Sequence, residues 1–220
     1  MPPCRKSLLL LFLILVLTCC ASPVSAQAQS WCGIQTLFFQ HNLSTSPAGY
    51  EELINYPSGN TEVDENVTIN AGMGPVLLDA YITPEGALTD TTDLLKGLRR
   101  YRMYHYVNTA LGVTVANYSV YLWHANGTET YVYSALSDDI NDLTANEYLT
   151  SYVKQTDSML SPTDRIVIKI FAQTTHPSNV VFHFVYQGSV HTSHVIPDTS
   201  YARIRQRSPS RFTSHQCGRR

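Results

Sequence analysis

A chain of 220 residues with 44% hydrophobic side chains carries enough apolar material for one folded core and too little for a membrane bundle. Its formal charge of −2 conceals two unlike regions. Residues 27–198 hold 17 acidic against 7 basic side chains, a charge of −10, whereas residues 199–220 hold six Arg and no acid. An acidic body with a basic tail excludes a nucleic-acid-binding face, which would place its basic patch on the folded surface.

The first 26 residues read as a secretory signal peptide. Arg5 and Lys6 make a positive start, Leu8 to Leu17 is an unbroken apolar run, and Val24 and Ala26 stand ready for cleavage before Gln27. A ten-residue run is too short to span a bilayer, which needs about 20. The expected product is secreted or displayed at the cell surface, with no stable membrane span once the leader is removed. Residues 27–198 then form the folded domain, and residues 199–220 a basic tail of disordered composition. Cys4, Cys19 and Cys20 fall in the leader, which leaves Cys32 and Cys217. A pair in a secreted chain predicts a disulfide, with two free or intermolecular thiols as the alternative.

Along the body, β-branched and aromatic runs recur between Gly, Pro, Asn and Asp clusters. Strands are predicted at 62–70, 76–83, 99–108, 113–124, 128–135, 147–154, 165–174 and 180–187, with shorter ones at 36–40 and 193–196. No stretch has convincing helical periodicity. Eight to ten strands at this spacing predict an all-β fold, an antiparallel, jelly-roll-like β-sandwich. Asn126-Gly127 predicts a two-residue type I′ hairpin. That register puts Tyr118, Val120, Leu122, Tyr131 and Tyr133 in the core, and Tyr121 and Trp123 outside. A second hairpin is expected between 165–174 and 180–187, with Ile166, Ile168, Ile170, Val180, Phe182, Phe184 and Tyr186 inward. Asp138 to Asp142 reads as a turn.

Four Asn-X-Ser/Thr triplets, at Asn42, Asn66, Asn117 and Asn126, are glycosylation acceptors in an exported chain. Asn126 is the most accessible, at a hairpin tip. His176, His183, His191 and His194 cluster late, but His191 and His194 would point to opposite faces of a strand, and no nearby Cys or carboxylate completes a metal site. No metal is assigned there. Asp138, Asp139 and Asp142 are a weak calcium candidate: they offer oxygens, yet the loop lacks the glycine and terminal bidentate acid of an EF-hand. No cofactor is otherwise expected. No G-x-S-x-G elbow and no H-E-x-x-H motif occurs, and no pair of acids is marked out for glycoside hydrolysis. The chain therefore reads as a protein that is not an enzyme. Tyr121 and Trp123 suit either packing in an assembly or stacking on sugar rings.

Tyr50-Glu51-Glu52-Leu53 through Tyr56-Pro57, Leu98-Arg99-Arg100-Tyr101, Thr128-Glu129-Thr130, Asp164-Arg165-Ile166-Val167-Ile168-Lys169, Tyr186-Gln187-Gly188-Ser189 and Ser193-His194-Val195 together resemble the β-rich head modules of viral tail and appendage structural proteins. The resemblance runs from about Tyr50 to Ile196. It implies a trimeric, adhesive or shell-forming β-sandwich without catalytic residues. The leader departs from that pattern and favours a secreted or surface relative. The expected function is thus a structural or adhesive domain that self-associates into a fibre, sheath or surface layer. The alternatives are a carbohydrate-binding module using Tyr121 and Trp123 on cell-surface glycans, and an extracellular hydrolase whose residues are not identified.

Overall fold

The computed structural model describes residues 36–88 and 93–197. Thirteen strands and no helix occur among them: β1 (Leu37–Leu43), β2 (Glu51–Ile54), β3 (Val63–Ile69), β4 (Val76–Ile82), β5 (Asp93–Leu94), β6 (Gly97–Val107), β7 (Thr114–Trp123), β8 (Glu129–Leu136), β9 (Asn146–Lys154), β10 (Ser158–Met159), β11 (Arg165–Thr174), β12 (Val180–Tyr186) and β13 (His194–Pro197). The fold is all-β, as the alternation predicts. It exceeds the expected eight to ten strands because β2, β5 and β10 are too short to leave a pattern. It is also not wholly antiparallel, since β2 runs parallel to β4.

One large sheet runs β3-β12-β6-β13-β1-β2-β4-β11-β7-β8, with β9 on the free side of β6. It rolls over on itself, so that β3 comes against β4 and β8 against β9 without ladder pairing. The β3-β12-β6-β9 layer then faces the β4-β11-β7-β8 layer, and β13, β1 and β2 turn the corner between them. The inward faces meet in one core that includes Phe39, Leu53, Tyr81, Tyr101, Tyr118, Ile168, Ile170, Phe182 and Phe184. Aromatic edges interlock there, Phe39 meeting Tyr81 at 4.8 Å and Phe184 at 5.3 Å, both near perpendicular.

Two expected hairpins differ. Asn126 has no positive φ, whereas Gly127 sits at φ 83°, so a type I′ turn is ruled out. The Gly127 N–H instead bonds the His124 carbonyl, and the His124 N–H bonds the Thr128 carbonyl. That is a three-residue loop closed by a left-handed glycine. The extra loop residue slips the register by one, pairing Tyr121 with Tyr131. A bulge at Val132 then restores it, pairing Val120 with Tyr133. Tyr133 is buried as expected, but Tyr131 is turned outward and is 56% exposed.

The second hairpin does not form. β11 pairs with β4 and β7, whereas β12 pairs with β3 and β6. The 175–179 link therefore crosses from one layer to the other. Both strands carry a full apolar inward face, and each stabilises more by covering the opposite layer than by pairing with its sequence neighbour. The inward residues expected on both strands are all buried.

Candidate functional site

On five strands the inward face changes from apolar to polar as it reaches the same end of the sandwich. On β1 the inward series is Leu37, Phe39, then His41; on β2 it is Leu53, then Glu51; on β3 it is Ile69, Val67, then Glu65. β4 presents Asp79 two residues before the buried Tyr81, and β12 runs Phe182, Phe184, Tyr186. Period-2 geometry stacks each polar group above a core residue of its own strand. The polar groups gather where β3 comes against β4.

The hydrogen bonds are continuous. His41 Nδ1 lies 2.6 Å from Glu51 Oε1 and 3.4 Å from Glu65 Oε1. Tyr186 donates its hydroxyl to Glu51 Oε2 at 2.6 Å, and Tyr81 donates to Glu65 Oε2 at 3.1 Å. The Ala80 N–H donates to Asp79 Oδ1 at 2.6 Å. The His41 N–H donates to Gln187 Oε1 at 2.8 Å. Gln187 holds φ 70°, the one non-glycine in the left-handed region among the described residues. Such strain persists where neighbouring structure enforces it, commonly at functional sites.

Electrostatics follow from burial beside like charge. Glu51 is buried, and desolvation raises its carboxyl above the usual range, with Tyr186 and His41 opposing. Asp79 is pushed up to about 7, chiefly by burial and then by Glu65 and Glu51, against the pull of the Ala80 N–H. Burial drives the Tyr81 and Tyr186 hydroxyls upward, so both remain donors. This cluster thus combines carboxylates, a carboxyl that exchanges its proton near neutrality, and a half-exposed imidazole. Among the described residues, His41, Glu51 and Glu65 are the group whose ligating atoms all lie within 4.8 Å of one another.

The residues singled out from sequence lie elsewhere. Cys32, Cys217, the leader and the tail fall outside the described residues. Asn42 and Asn66 are exposed on β1 and β3; Asn117 is half-buried on β7, and its Oδ1 accepts from the Ser119 hydroxyl. Asn126 is exposed, its Oδ1 accepting from the Thr128 N–H and hydroxyl. The calcium candidates are engaged in local bonds: Asp139 accepts from the Thr114 N–H, and Asp142 accepts from Tyr148 and Asn146. Asp138, Asp139 and Asp142 do not converge as a ligand group. Tyr121 and Trp123 face outward, half-buried by their own neighbours. Tyr121 meets Tyr131 edge-on at 5.6 Å, and Trp123 meets Tyr50 at 5.6 Å. The Lys169 ammonium sits 4.9 Å from the Tyr121 ring centre and pairs with Glu129 at 2.6 Å.

No protein-family model and no curated protein sequence matches this chain. Solved structures do. An aminopeptidase from a marine sediment Thaumarchaeota archaeon superimposes at a TM-score of 0.53 over 73% of this chain, with 8% identity. A selenomethionine-labelled α-amino acid ester hydrolase does so at 0.51 over 74%, with 10% identity. The fold is one found in hydrolases. This chain spans about a third of those proteins, covering 36% and 35% of their lengths. The expectation that the chain is not an enzyme is corrected to this extent: both of these structures sharing its fold are hydrolytic enzymes. They lend nothing to self-association into a fibre, sheath or surface layer. The viral likeness is faint: an infectious bursal disease virus structure aligns over 71% of this chain and 41% of its own, at 11% identity and a TM-score of only 0.30.

Helices long and apolar enough to cross a membrane are absent among the described residues.

Proposed function

We propose that this chain is an exported hydrolase of ester or amide bonds, with its reaction centre at the polar end where β3 meets β4. The observation that supports this most is the convergence of Asp79, Glu65, Glu51 and His41 at that end of the sandwich. The hydrolase architecture of the neighbours, one an aminopeptidase and one an α-amino acid ester hydrolase, suggests the bond type. Glu51 and Glu65, steadied by the two tyrosine hydroxyls, gather an attacking water near His41. Asp79 takes one proton from that water as its oxygen bonds to the carbonyl carbon. It returns the proton to the departing alcohol or amine as the carbon–oxygen or carbon–nitrogen bond breaks. A group that titrates near the working pH serves both steps well.

The test is hydrolysis of a panel of aminoacyl p-nitrophenyl esters and p-nitroanilides by the secreted chain. Removing a general acid–base typically costs 10²–10⁴-fold, so Asp79→Asn should lower kcat at least 10²-fold with the fold intact. Turnover no faster than buffer for every substrate, or turnover unchanged in Asp79→Asn, would overturn the reading.

A second reading, carbohydrate binding, is favoured by Tyr131 standing exposed beside Tyr121 and Trp123 on the outer face. Trp123→Ala should then abolish glycan-array binding without touching hydrolysis.

A further inference from the structure

We infer that His41, Glu51 and Glu65 bind a divalent transition-metal cation of the zinc class. This deepens the hydrolase reading by naming the cofactor of the same cluster, and rests on that reading only for the chemistry the ion would serve. The geometry begins with donor spacing. Ligands held at about 2.1 Å around a tetrahedral ion stand roughly 3.4 Å apart. His41 Nδ1 and Glu65 Oε1 are already 3.4 Å apart. His41 Nδ1 and Glu51 Oε1, at 2.6 Å, need to part by less than 1 Å.

The arrangement behind these donors is that of held ligands. Each carboxylate turns one oxygen toward His41 and commits the other to a tyrosine hydroxyl, Glu51 to Tyr186 and Glu65 to Tyr81. Hydrogen bonds of this kind fix ligand orientation and contribute to affinity. The backbone of His41 is held as well, its main-chain N–H donating to Gln187 Oε1. The three ligands come from β3 in one layer and from β1 and β2 at the corner, so separate strands of the sheet hold the ion.

Charge points the same way. Arg102 and Lys169 pair with Glu147 and Glu129, so the ion pairs of the described residues set no Lys or Arg against Glu51 and Glu65. One nitrogen and two oxygens suit zinc or manganese better than calcium, which takes six to eight oxygens. The His41 side chain is 56% exposed while Glu51 is 5% exposed. An ion there has a protein floor and a solvent-facing position, as water activation requires.

The test is isothermal titration of the secreted, EDTA-stripped chain with zinc chloride and with manganese chloride, with metal content measured by mass spectrometry after dialysis. One ion per chain is expected. His41→Ala should weaken binding at least 10²-fold, and Tyr186→Phe about 10-fold. Circular dichroism checks that both variants fold, and Tyr186→Phe keeps the test alive should His41→Ala not. Absence of binding at micromolar zinc overturns the inference, as does equal affinity in the folded variants. Stoichiometric binding without hydrolysis of any substrate would keep the metal site and remove the hydrolase reading. Hydrolysis by a metal-free chain would do the reverse.

Discussion

Asp79→Asn should stabilise the metal-free protein at neutral and alkaline pH. The Asp79 carboxyl moves from 3.8 to about 7 on folding, so the folded state holds a proton that the unfolded chain has released. Between those values the unfolded state binds fewer protons, and stability falls as pH rises. About three pH units at 1.36 kcal/mol each set a ceiling near 4 kcal/mol. Asp79 is only half-buried, and solvent screening reduces this to about 1–2 kcal/mol. Asparagine retains the oxygen that accepts the Ala80 N–H and carries no charge. In a domain of this size 1 kcal/mol moves Tm by about 2–4 °C, so the variant should melt about 2–8 °C higher at pH 8. The assay is urea unfolding in EDTA from about pH 3 to pH 8. The two proteins should converge as the pH falls below 3.8, where the carboxyl becomes protonated in both states. An asparagine variant less stable at pH 8, or a gap that does not change with pH, would refute the reasoning.

Three further outcomes are expected. His105 is buried, hydrogen-bonded to the Tyr118 hydroxyl at 2.8 Å, and pushed down to about 3 by burial. Its contribution is present above pH 6.5 and is lost as pH falls from there toward 3, so His105→Gln should flatten the acid limb of a stability-against-pH curve; an unchanged slope would show that this group does not govern it. A Cβ on Gly188 would lie 2.8 Å from Glu62 Cβ, so Gly188→Ala should cost about 1–3 kcal/mol by overpacking and part Glu62 from His191, now 2.8 Å apart, as read by thermal melting. Phe184 is fully buried among Phe39, Tyr81 and Tyr186. Phe184→Ala should cost about 3–5 kcal/mol in denaturant unfolding, and a loss under about 1 would mean that these rings do not interlock.

Much of the fold is legible in the alternation of apolar and polar residues. β11 spans the predicted residues to the position, and the other long strands fall within one or two residues of expectation, because each buries one face. Pairing is less legible. The loop after Trp123 differs from expectation by one residue of turn, and that residue turns Tyr131 outward. Sequence adjacency suggests β11 with β12, yet the two strands serve opposite layers. The site was almost invisible. His41, Glu51, Glu65, Asp79 and Tyr186 lie far apart in the chain, and each alone reads as an ordinary polar residue. One signal was present: on each strand the polar group occupies the parity of the core, after Leu37 and Phe39, or before Leu53 and Tyr81. A carboxylate on the inward parity costs free energy unless something compensates it, and three strands place one at the same level, beside His41 and Tyr186.

The 175–179 crossing also bears on how the molecule assembles. Strands adjacent in sequence do not close on each other here, so the chain must search for distant partners, and topologies of that kind fold slowly. β12 joins β3 to β6 and supplies Tyr186, although His41, Glu51, Glu65 and Asp79 all precede residue 80. During synthesis these groups therefore emerge early and wait, unorganised, until nearly the whole domain has been made. A chain halted after β11 would keep all three carboxylates of the cluster and lack the strand that holds them in place.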